Sequence, residues 1–190
     1  EGALGTTFAR YWVHNGFVNM AGEKMAKSVG NVVRVRDVVE KYPGPALRYY
    51  MLSTHYRSPI DFNLDDMPAA RRGWERLRNL EDNLERTLAG QEGTLPTQLS
   101  DDAKESLSTW DEHRRAFETA MDTDFNTAQA LGALFELARD LNSYLAEGNI
   151  TGERAAVLAE GRDLFLSLGG VLGLTGVAGG HQDRALVEGL

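Results

Sequence analysis

The sequence predicts a mainly α-helical chain in which a short mixed segment is followed by an antiparallel helical bundle. From residue 63 onward, apolar side chains recur every three or four residues in four segments separated by polar or glycine-containing breaks. Before that point the chain carries an aromatic and β-branched stretch and a glycine-flanked loop. Residues 1–62 hold 8 Lys and Arg against 5 Asp and Glu (net +3), whereas residues 63–190 hold 12 against 23 (net −11). Such a change in charge indicates two parts with different partners.

For residues 1–62 the sequence predicts short strands and helices joined by a loop. Residues 8–18, "FARYWVHNGFV", are rich in aromatic and β-branched side chains, so we expect a buried segment that ends in a short strand. Residues 19–31 are typical of a loop. The stretch at 32–39, "VVRVRDVV", begins with the alternation of a strand, and Asp37 can cap a short helix after it. Pro45 suits the first turn of the next helix, where its missing N–H has no consequence.

The second part predicts four helices, each with an apolar stripe that it cannot bury alone. Short loops between such helices favour an antiparallel bundle. The predicted boundaries are polar caps and glycine ends: Asn63 or Asp65 to Gly90, Ser100 to the turn "DTDFNT", Asn126 or Thr127 to Gly148, and Thr151 to the run "GGVLGL".

Composition excludes several classes of protein. No apolar run approaches the roughly 18 residues of a membrane span, so we expect no membrane partner. The chain has no cysteine, which excludes disulfides, thiolate metal sites and a thiol nucleophile within these residues. This composition fits a cytoplasmic protein. Because the chain lacks an initiator Met and opens in what reads as a packed segment, we expect it to be a piece of a longer protein.

The loop "GEKMAKSVGN" at 22–31 carries two lysines three residues apart. Transfer chemistry on a triphosphate develops negative charge on the leaving pyrophosphate, and cations on a mobile loop can meet that charge in the transition state. Lys24 and Lys27 are suited to this role, and Ser28 can add a hydroxyl. On spacing alone, the favoured interpretation is a solvated turn whose lysines contact only water.

The text "KMAKS" at 24–28 resembles the KMSKS signature of class I aminoacyl-tRNA synthetases, which activate an amino acid with ATP on a Rossmann-type domain. The resemblance implies that Lys27 holds the ATP phosphates in the activation transition state, that Lys24 assists, and that Met25 anchors the loop. Ala26 stands where the signature has Ser. The role of the loop survives that change, although a side-chain hydrogen bond is lost. The implied ATP-binding residues are Lys24, Met25, Ala26, Lys27 and Ser28.

Further stretches of the sequence resemble one particular member of this class. The methionine enzyme also follows the signature with "GN" and a run like "ALRYY", so these do not discriminate. Four further stretches are similar to cysteinyl-tRNA synthetase and extend the resemblance from residue 1 to about 175: "FARYWVHNGFV", "LSTHYRSPIDF", "WERLRN" and "MDTDFNTAQALGALFELARDLN".

The resemblance implies an enzyme that activates L-cysteine with ATP to cysteinyl-adenylate and transfers it to tRNA(Cys). Residues 1–62 would end the catalytic domain and include a stem-contact segment. Residues 63–174 would form a DALR-like bundle against the anticodon stem, and 175–190 would be a flexible tail leading to a further part. The HIGH motif and the zinc ligands of the full-length enzyme would lie outside this chain, so the chain alone should be inactive. We expect a monomer.

Two other functions stay open at this point. A related ligase joins cysteine to an amino sugar in mycothiol biosynthesis, and it shares the lysine loop and "HYR". The third interpretation is non-catalytic: a helical module that binds tRNA or protein and whose lysine loop is incidental.

The remaining candidates have structural interpretations of their own. His14 and His55 are expected to be hydrogen-bonded structural residues, because neither has a partner at a metal-ligand spacing. Tyr11, Trp12 and Phe17 could line an adenosine or cysteine pocket, but the core is the favoured location.

Two sets of arginines could contact tRNA phosphates or form local ion pairs. The first set has Asp37, Glu40 and Asp61 as nearby acidic partners, and the second, on the first bundle helix, has Glu75 and Asp82. The two sets are Arg34, Arg36, Arg48 and Arg57, and Arg71, Arg72, Arg76 and Arg78.

Overall fold

The computed structural model describes residues 5–20, 22–26, 30, 32–91 and 93–176. Within these residues the predicted mainly helical class is confirmed. The elements in chain order are β1 Val18–Met20, β2 Glu23–Lys24, α1 Val35–Val39, α2 Gly44–Leu52, β3 Ile60–Asp61, a 3₁₀ turn Leu64–Asp66, α3 Met67–Leu88, α4 Asp101–Asp122, α5 Thr127–Ala146 and α6 Glu153–Val171. No helix in this described part is long and apolar enough to cross a membrane.

The described strands form one small sheet with β1 at its centre. β2 pairs antiparallel with β1, and β3 pairs parallel with it on the other side. The backbone N–H of Ile60 donates to Phe17 at 2.9 Å, and that of Phe62 donates to Asn19 at 2.8 Å. Strands of two or three residues are too short to be stable alone, so the sheet needs the helices beside it.

A small apolar cluster joins the sheet to the helices. Its buried members are Val38, Ala46, Phe62 and Met67, and the ring of Tyr50 meets Phe62 edge-on at 5.3 Å. Because Met67 is the first residue of α3, this cluster is shared between the front part and the bundle.

The bundle buries one large core between α3, α4, α5 and α6. Trp110 lies inside it with its ring edge-on to Tyr144 at 5.3 Å. α4 packs mainly on α5, and α6 contacts α3, α4 and α5. The fully buried side chains include Leu77, Leu80, Leu84, Leu134, Leu137, Leu141, Leu158 and Phe165. The predicted antiparallel bundle is therefore present, and its stripes form its core.

Side-chain capping explains where two of these helices begin. Ser100 caps α4 and Asn126 caps α5, as predicted, and each accepts a backbone N–H three residues on, at 3.3 and 3.1 Å. The carboxylate of Glu153 accepts from both the N–H and the hydroxyl of Ser100, at 2.9 and 2.7 Å. This contact ties the start of α6 to the start of α4. The cap of α6 is Gly152, one residue after the predicted Thr151.

Two predictions for the front part are wrong. Asp37 lies inside α1 instead of capping it, because the helix begins after Arg34 without a side-chain cap. The predicted short helix is present, but it starts earlier, so residues 35 and 36 are helical where the alternation indicated a strand. Residues 8–17 were expected to be buried, yet Tyr11, Trp12 and Phe17 are 88%, 69% and 60% exposed. Their apolar character predicted burial, but no described element covers them.

The C-terminal segment 173–176 lies across α2 and α3. Arg48 donates to the carbonyl of Gly173 at 2.7 Å, and the Trp74 indole donates to that of Leu174 at 3.1 Å. The N–H of Gly176 donates to Glu81 at 2.8 Å. Thr175, where the predicted tail begins, is buried, and its hydroxyl donates to Leu166 at 3.0 Å. The predicted tail from residue 177 on lies outside the described residues.

Two helical glycines should respond in opposite directions to alanine. A Cβ on Gly161 in α6 would lie 2.5 Å from a methyl of Leu141 and 2.7 Å from the Trp110 ring, whereas one on Gly132 in α5 would meet nothing within 4 Å. We expect Gly161→Ala to lower the free energy of unfolding by about 1–3 kcal/mol through overpacking. Gly132→Ala is the matched control and should raise it by up to about 1 kcal/mol. Urea unfolding measures both; equal effects would contradict the close α4–α6 approach.

Glu81 should make stability depend on pH. It is 7% exposed, and its second oxygen has no hydrogen-bond partner among the described residues. Burial raises the pKa of this carboxyl. Its stabilising contribution is therefore present below the pKa of the unfolded chain and is lost as pH rises through the raised folded value.

Glu81→Gln removes that titration. We expect the melting temperature of the variant minus that of the wild type to be higher at pH 8 than at pH 4. Glu105→Gln, at an exposed position of α4, controls for the exchange of a carboxyl for an amide. A melting-temperature difference for Glu81→Gln that is the same at both pH values would show that Glu81 does not titrate differently on folding.

Candidate functional site

The start of the lysine loop is held by backbone hydrogen bonds. Gly22 donates its N–H to the carboxylate of Asp61 at 3.2 Å, and Met25 donates to the carbonyl of Val18 at 3.1 Å. Between them, Lys24 pairs with Asn19 across the β1–β2 ladder. The loop therefore leaves the sheet from a defined edge, with Asp61 of β3 on one side and β1 on the other.

The structure places three of the five predicted loop residues. Lys24 is exposed, whereas Met25 and Ala26 are half-buried. Lys27 and Ser28 lie outside the described residues. Gly22 and Gly30 both have left-handed backbone angles, with φ of +79° and +74°. These are conformations that glycine adopts readily, so the loop is bracketed as its sequence suggested.

Lys24 lies over an aromatic ring. Its Nζ is 4.0 Å from the ring centroid of Phe17, a distance at which the ring face attracts an ammonium group. Phe17 is thus an exposed residue that positions a lysine rather than the core residue that its composition favoured.

A largely apolar cavity lies behind β1. Its volume is about 380 Å³, and its walls include Phe17, Ile60, Tyr56 and Phe125. Phe125 comes from the α4–α5 turn, so this cavity forms where the front part meets the bundle.

Asp124 of the α4–α5 turn makes the main polar contact between the two parts. Arg57 donates to both of its carboxylate oxygens, from Nε at 2.5 Å and from Nη2 at 2.9 Å, and the Tyr56 hydroxyl donates to it at 2.6 Å. The His55 ring is 3.9 Å away. The guanidinium of Arg57, followed by the Tyr56 hydroxyl, lowers the pKa of Asp124 to about 2. The contact therefore persists far below neutral pH.

This pair was not predicted from the sequence. The acidic residues expected near Arg57 were Asp37, Glu40 and Asp61, but its partner is 67 residues away. No local spacing signals such a contact. The interpretation of His55 as a hydrogen-bonded structural residue is confirmed, because its Nδ1 accepts the N–H of Arg57 at 3.3 Å and its ring stacks on Tyr56 at 5.0 Å.

The turn that presents Asp124 has an unusual backbone. Asp124 and Phe125 have φ of 57° and 52°, a left-handed conformation that favours glycine and costs other residues roughly 1–2 kcal/mol each. Phe125 donates to the carbonyl of Met121 and Asn126 to that of Ala120, both at 3.0 Å. These two bonds satisfy carbonyls of the last turn of α4, and they do so without glycine at the two left-handed positions.

The arginines of α3 are mostly engaged within the chain. Arg71 pairs with Glu75 at 2.6 Å, and Arg78 pairs with Asp82 at 3.0 Å. Arg76 lies over the Phe135 ring. For Arg71 and Arg78 the structure thus bears out the local ion pairs, whereas Arg34 and Arg72 are exposed.

The described residues do not form a metal site. Across the segments from 5 to 176 that the structure describes, no three His, Asp or Glu side chains gather in a group that could hold a metal ion.

Two family matches divide the chain. Residues 1–72 match the tRNA synthetases class I (C) catalytic domain, and residues 116–176 match the DALR domain. The lysine loop and Arg57 fall in the first match, and Asp124 falls in the second. The contact between Arg57 and Asp124 therefore joins the two matched regions.

Curated relatives align with nearly the whole chain. It is 46% identical to the cysteine–tRNA ligase of Geobacter metallireducens over 92% of its length, and 46% identical to that of Moorella thermoacetica over 100%. A cysteine–tRNA ligase of Pelotomaculum thermopropionicum is 44% identical over 100%. The chain spans 35%, 40% and 41% of these three relatives, respectively.

A solved structure supports the fold. The LeuRS of Agrobacterium radiobacter K84 agnB2, crystallised as a ternary complex with tRNA and LeuAMS, aligns with a TM-score of 0.66 at 23% identity. The alignment covers 86% of this chain and 22% of that one. At this identity the likeness concerns the arrangement of the helices and the sheet.

Proposed function

Because the chain belongs to the cysteine–tRNA ligase family of class I tRNA synthetases, we propose that it supplies the lysine loop and the tRNA-facing bundle of an enzyme that attaches L-cysteine to tRNA(Cys). The observation that carries the proposal is the loop itself. Its first lysine is held at a sheet edge by Phe17 and by the β1–β2 pairing, and its second lysine follows three residues later.

The proposed reaction has two steps. A carboxylate oxygen of cysteine attacks the α-phosphorus of ATP, and the bond to pyrophosphate breaks, which gives cysteinyl-adenylate. A ribose hydroxyl at the 3′ end of the tRNA then attacks the activated carbonyl carbon, and AMP leaves. In the first step, negative charge grows on the departing pyrophosphate, and Lys27, assisted by Lys24, stabilises that charge.

The zinc expected for the full-length enzyme has no place among these residues. The chain contains no cysteine, and its described His, Asp and Glu side chains do not cluster as ligands. We therefore derive no step through a metal, and we assign recognition of the cysteine thiol to residues outside this chain.

The proposed tRNA-binding role belongs to the surface that joins the front part to α3. Arg34, just before α1, and Arg72, in α3, are exposed, and cationic side chains on phosphates position a nucleic acid rather than read its sequence. The proposed domain limits remain 1–62, 63–174 and 175–190. The proposal extends to a monomer that acts in the cytoplasm.

The proposed reaction can be tested by its acceptor. The intact protein that carries this chain should exchange pyrophosphate into ATP only when L-cysteine is present, and it should cysteinylate tRNA(Cys). An amino-sugar acceptor, supplied separately, should stay unmodified, and the isolated 190 residues should be inactive. Transfer to the sugar would favour the related ligase, and no exchange with any amino acid would favour a non-catalytic module.

Lys27→Ala tests the role of the loop. In the intact protein we expect pyrophosphate exchange to fall by about 10²–10³-fold, the loss typical of one charge-stabilising donor, while the KM for cysteine barely changes. Lys41→Ala is the control, because Lys41 is an exposed lysine after α1, and it should retain the wild-type rate. A wild-type rate for Lys27→Ala would remove Lys27 from the proposed mechanism.

A further inference from the structure

The bundle reaches the front part through the two ends of one turn. Asp124 holds Tyr56 and Arg57, as described above, and the Thr127 hydroxyl at the start of α5 donates to the carbonyl of Leu52 at 2.9 Å. The turn therefore makes two separate contacts with the front part, one at the end of α2 and one in the connection between α2 and β3.

That connection in turn holds the entry to β1. The carbonyl of Tyr56 accepts the N–H of Gly16 at 2.7 Å. A Cβ on Gly16 would collide with the backbone carbonyl of Ser58, so the two chain segments touch with no room between them. Two residues later β3 begins and pairs with β1. A displacement of Tyr56 would therefore be transmitted to Gly16 and β1.

β1 is also the anchor of the lysine loop. Phe17, the neighbour of Gly16, carries the Lys24 ammonium on its ring, and Val18 accepts the N–H of Met25. Three successive contacts thus connect the bundle to the loop: Asp124 to Tyr56, Tyr56 to Gly16, and Phe17 or Val18 to the loop.

We propose that Asp124 is a positioning residue for the lysine loop, which it places through Tyr56, Gly16 and β1. Its consequence for catalysis rests on the function proposed above, whereas its consequence for the geometry of the loop does not. Among the described residues of the loop, none contacts Asp124, and Asp124 acts through the segment that contains Tyr56 and Arg57.

Two features distinguish Asp124 from an ordinary surface ion pair. Arg57 donates to both of its carboxylate oxygens, a bidentate geometry that fixes the orientation of the pair, although the two side chains are 59% and 43% exposed. The turn that presents this carboxylate also holds Asp124 and Phe125 in left-handed backbone conformations. Strained backbone of this kind persists where the surrounding structure holds a functional side chain in place.

The test compares two Asp→Asn variants of the intact protein. Asp124→Asn removes the charge at the junction. Asp111→Asn is the matched control, because Asp111 also pairs with arginines, Arg114 and Arg115, but within helix α4. Tyr56→Phe is a milder second variant that deletes only one hydroxyl contact to Asp124.

Hydrogen exchange provides the readout that needs no activity. We expect Asp124→Asn to speed exchange of the Gly16 and Met25 amides by about tenfold or more, because their hydrogen bonds open more often. Exchange in the core of α5 should stay at the wild-type rate. Asp111→Asn should leave both regions unchanged, and Tyr56→Phe should give a smaller increase at the same two amides.

Pyrophosphate exchange provides the second readout. Asp124→Asn should lower kcat by about tenfold or more, since small misplacements of a catalytic group have effects of this size, and should leave the KM for cysteine unchanged. If Asp124 has a purely structural role, Asp124→Asn should have a lower melting temperature but a wild-type kcat at temperatures where it is folded. That result would overturn the proposal.

The two proposals fail in different ways. If the wild type shows no cysteine-dependent exchange, the proposed function fails and the amide readout alone decides the role of Asp124. Gly16 and Met25 amides that exchange at the wild-type rate in Asp124→Asn would overturn the positioning role whatever the activity. If Asp124→Asn does not fold, Tyr56→Phe decides by the same measurements.

Discussion

The front part of the chain cannot support itself, and the rest of the structure follows from that constraint. Its sheet has one strand of three residues and two strands of two residues, far below the size that is stable in water. Its apolar cluster includes Met67, which belongs to α3. Tyr49 of α2 packs so closely on α3 that only glycine fits at position 73. The lysine loop is therefore positioned by a sheet that the bundle holds in place.

The arginines of the bundle pair locally, although residues 63–190 carry a net charge of −11. Its arginines pair mainly with acidic residues three or four positions away on the same helix, as Arg71 does with Glu75 and Arg139 with Glu136. Arg57 differs, because it crosses from the front part to Asp124 of the bundle. The single long-range carboxylate–arginine contact in the described residues thus lies where the two family matches meet.

The sequence predicts what is local and misses what is distant. Apolar periodicity and capping chemistry located the bundle helices, and Ser100 and Asn126 cap them as expected, because both signals act within one turn. Tyr11 and Trp12 were misassigned because apolar character does not say which surface will cover a side chain. Arg57 was misassigned because a partner 67 residues away leaves no periodic trace. The lysine loop was located by its resemblance, since its spacing also suited a solvated turn.

Segment 173–176 has a consequence for the order in which the protein is completed on the ribosome. Its contacts with Arg48, Trp74 and Glu81 span 125, 100 and 95 residues of chain. A nascent chain emerges from its N-terminus first, and contacts of such separation close slowly. The α2–α3 surface therefore lacks its contacts with segment 173–176 until α6 and this segment have been translated. Until then, the Trp74 indole and the Glu81 carboxyl lack the hydrogen bonds that segment 173–176 gives them.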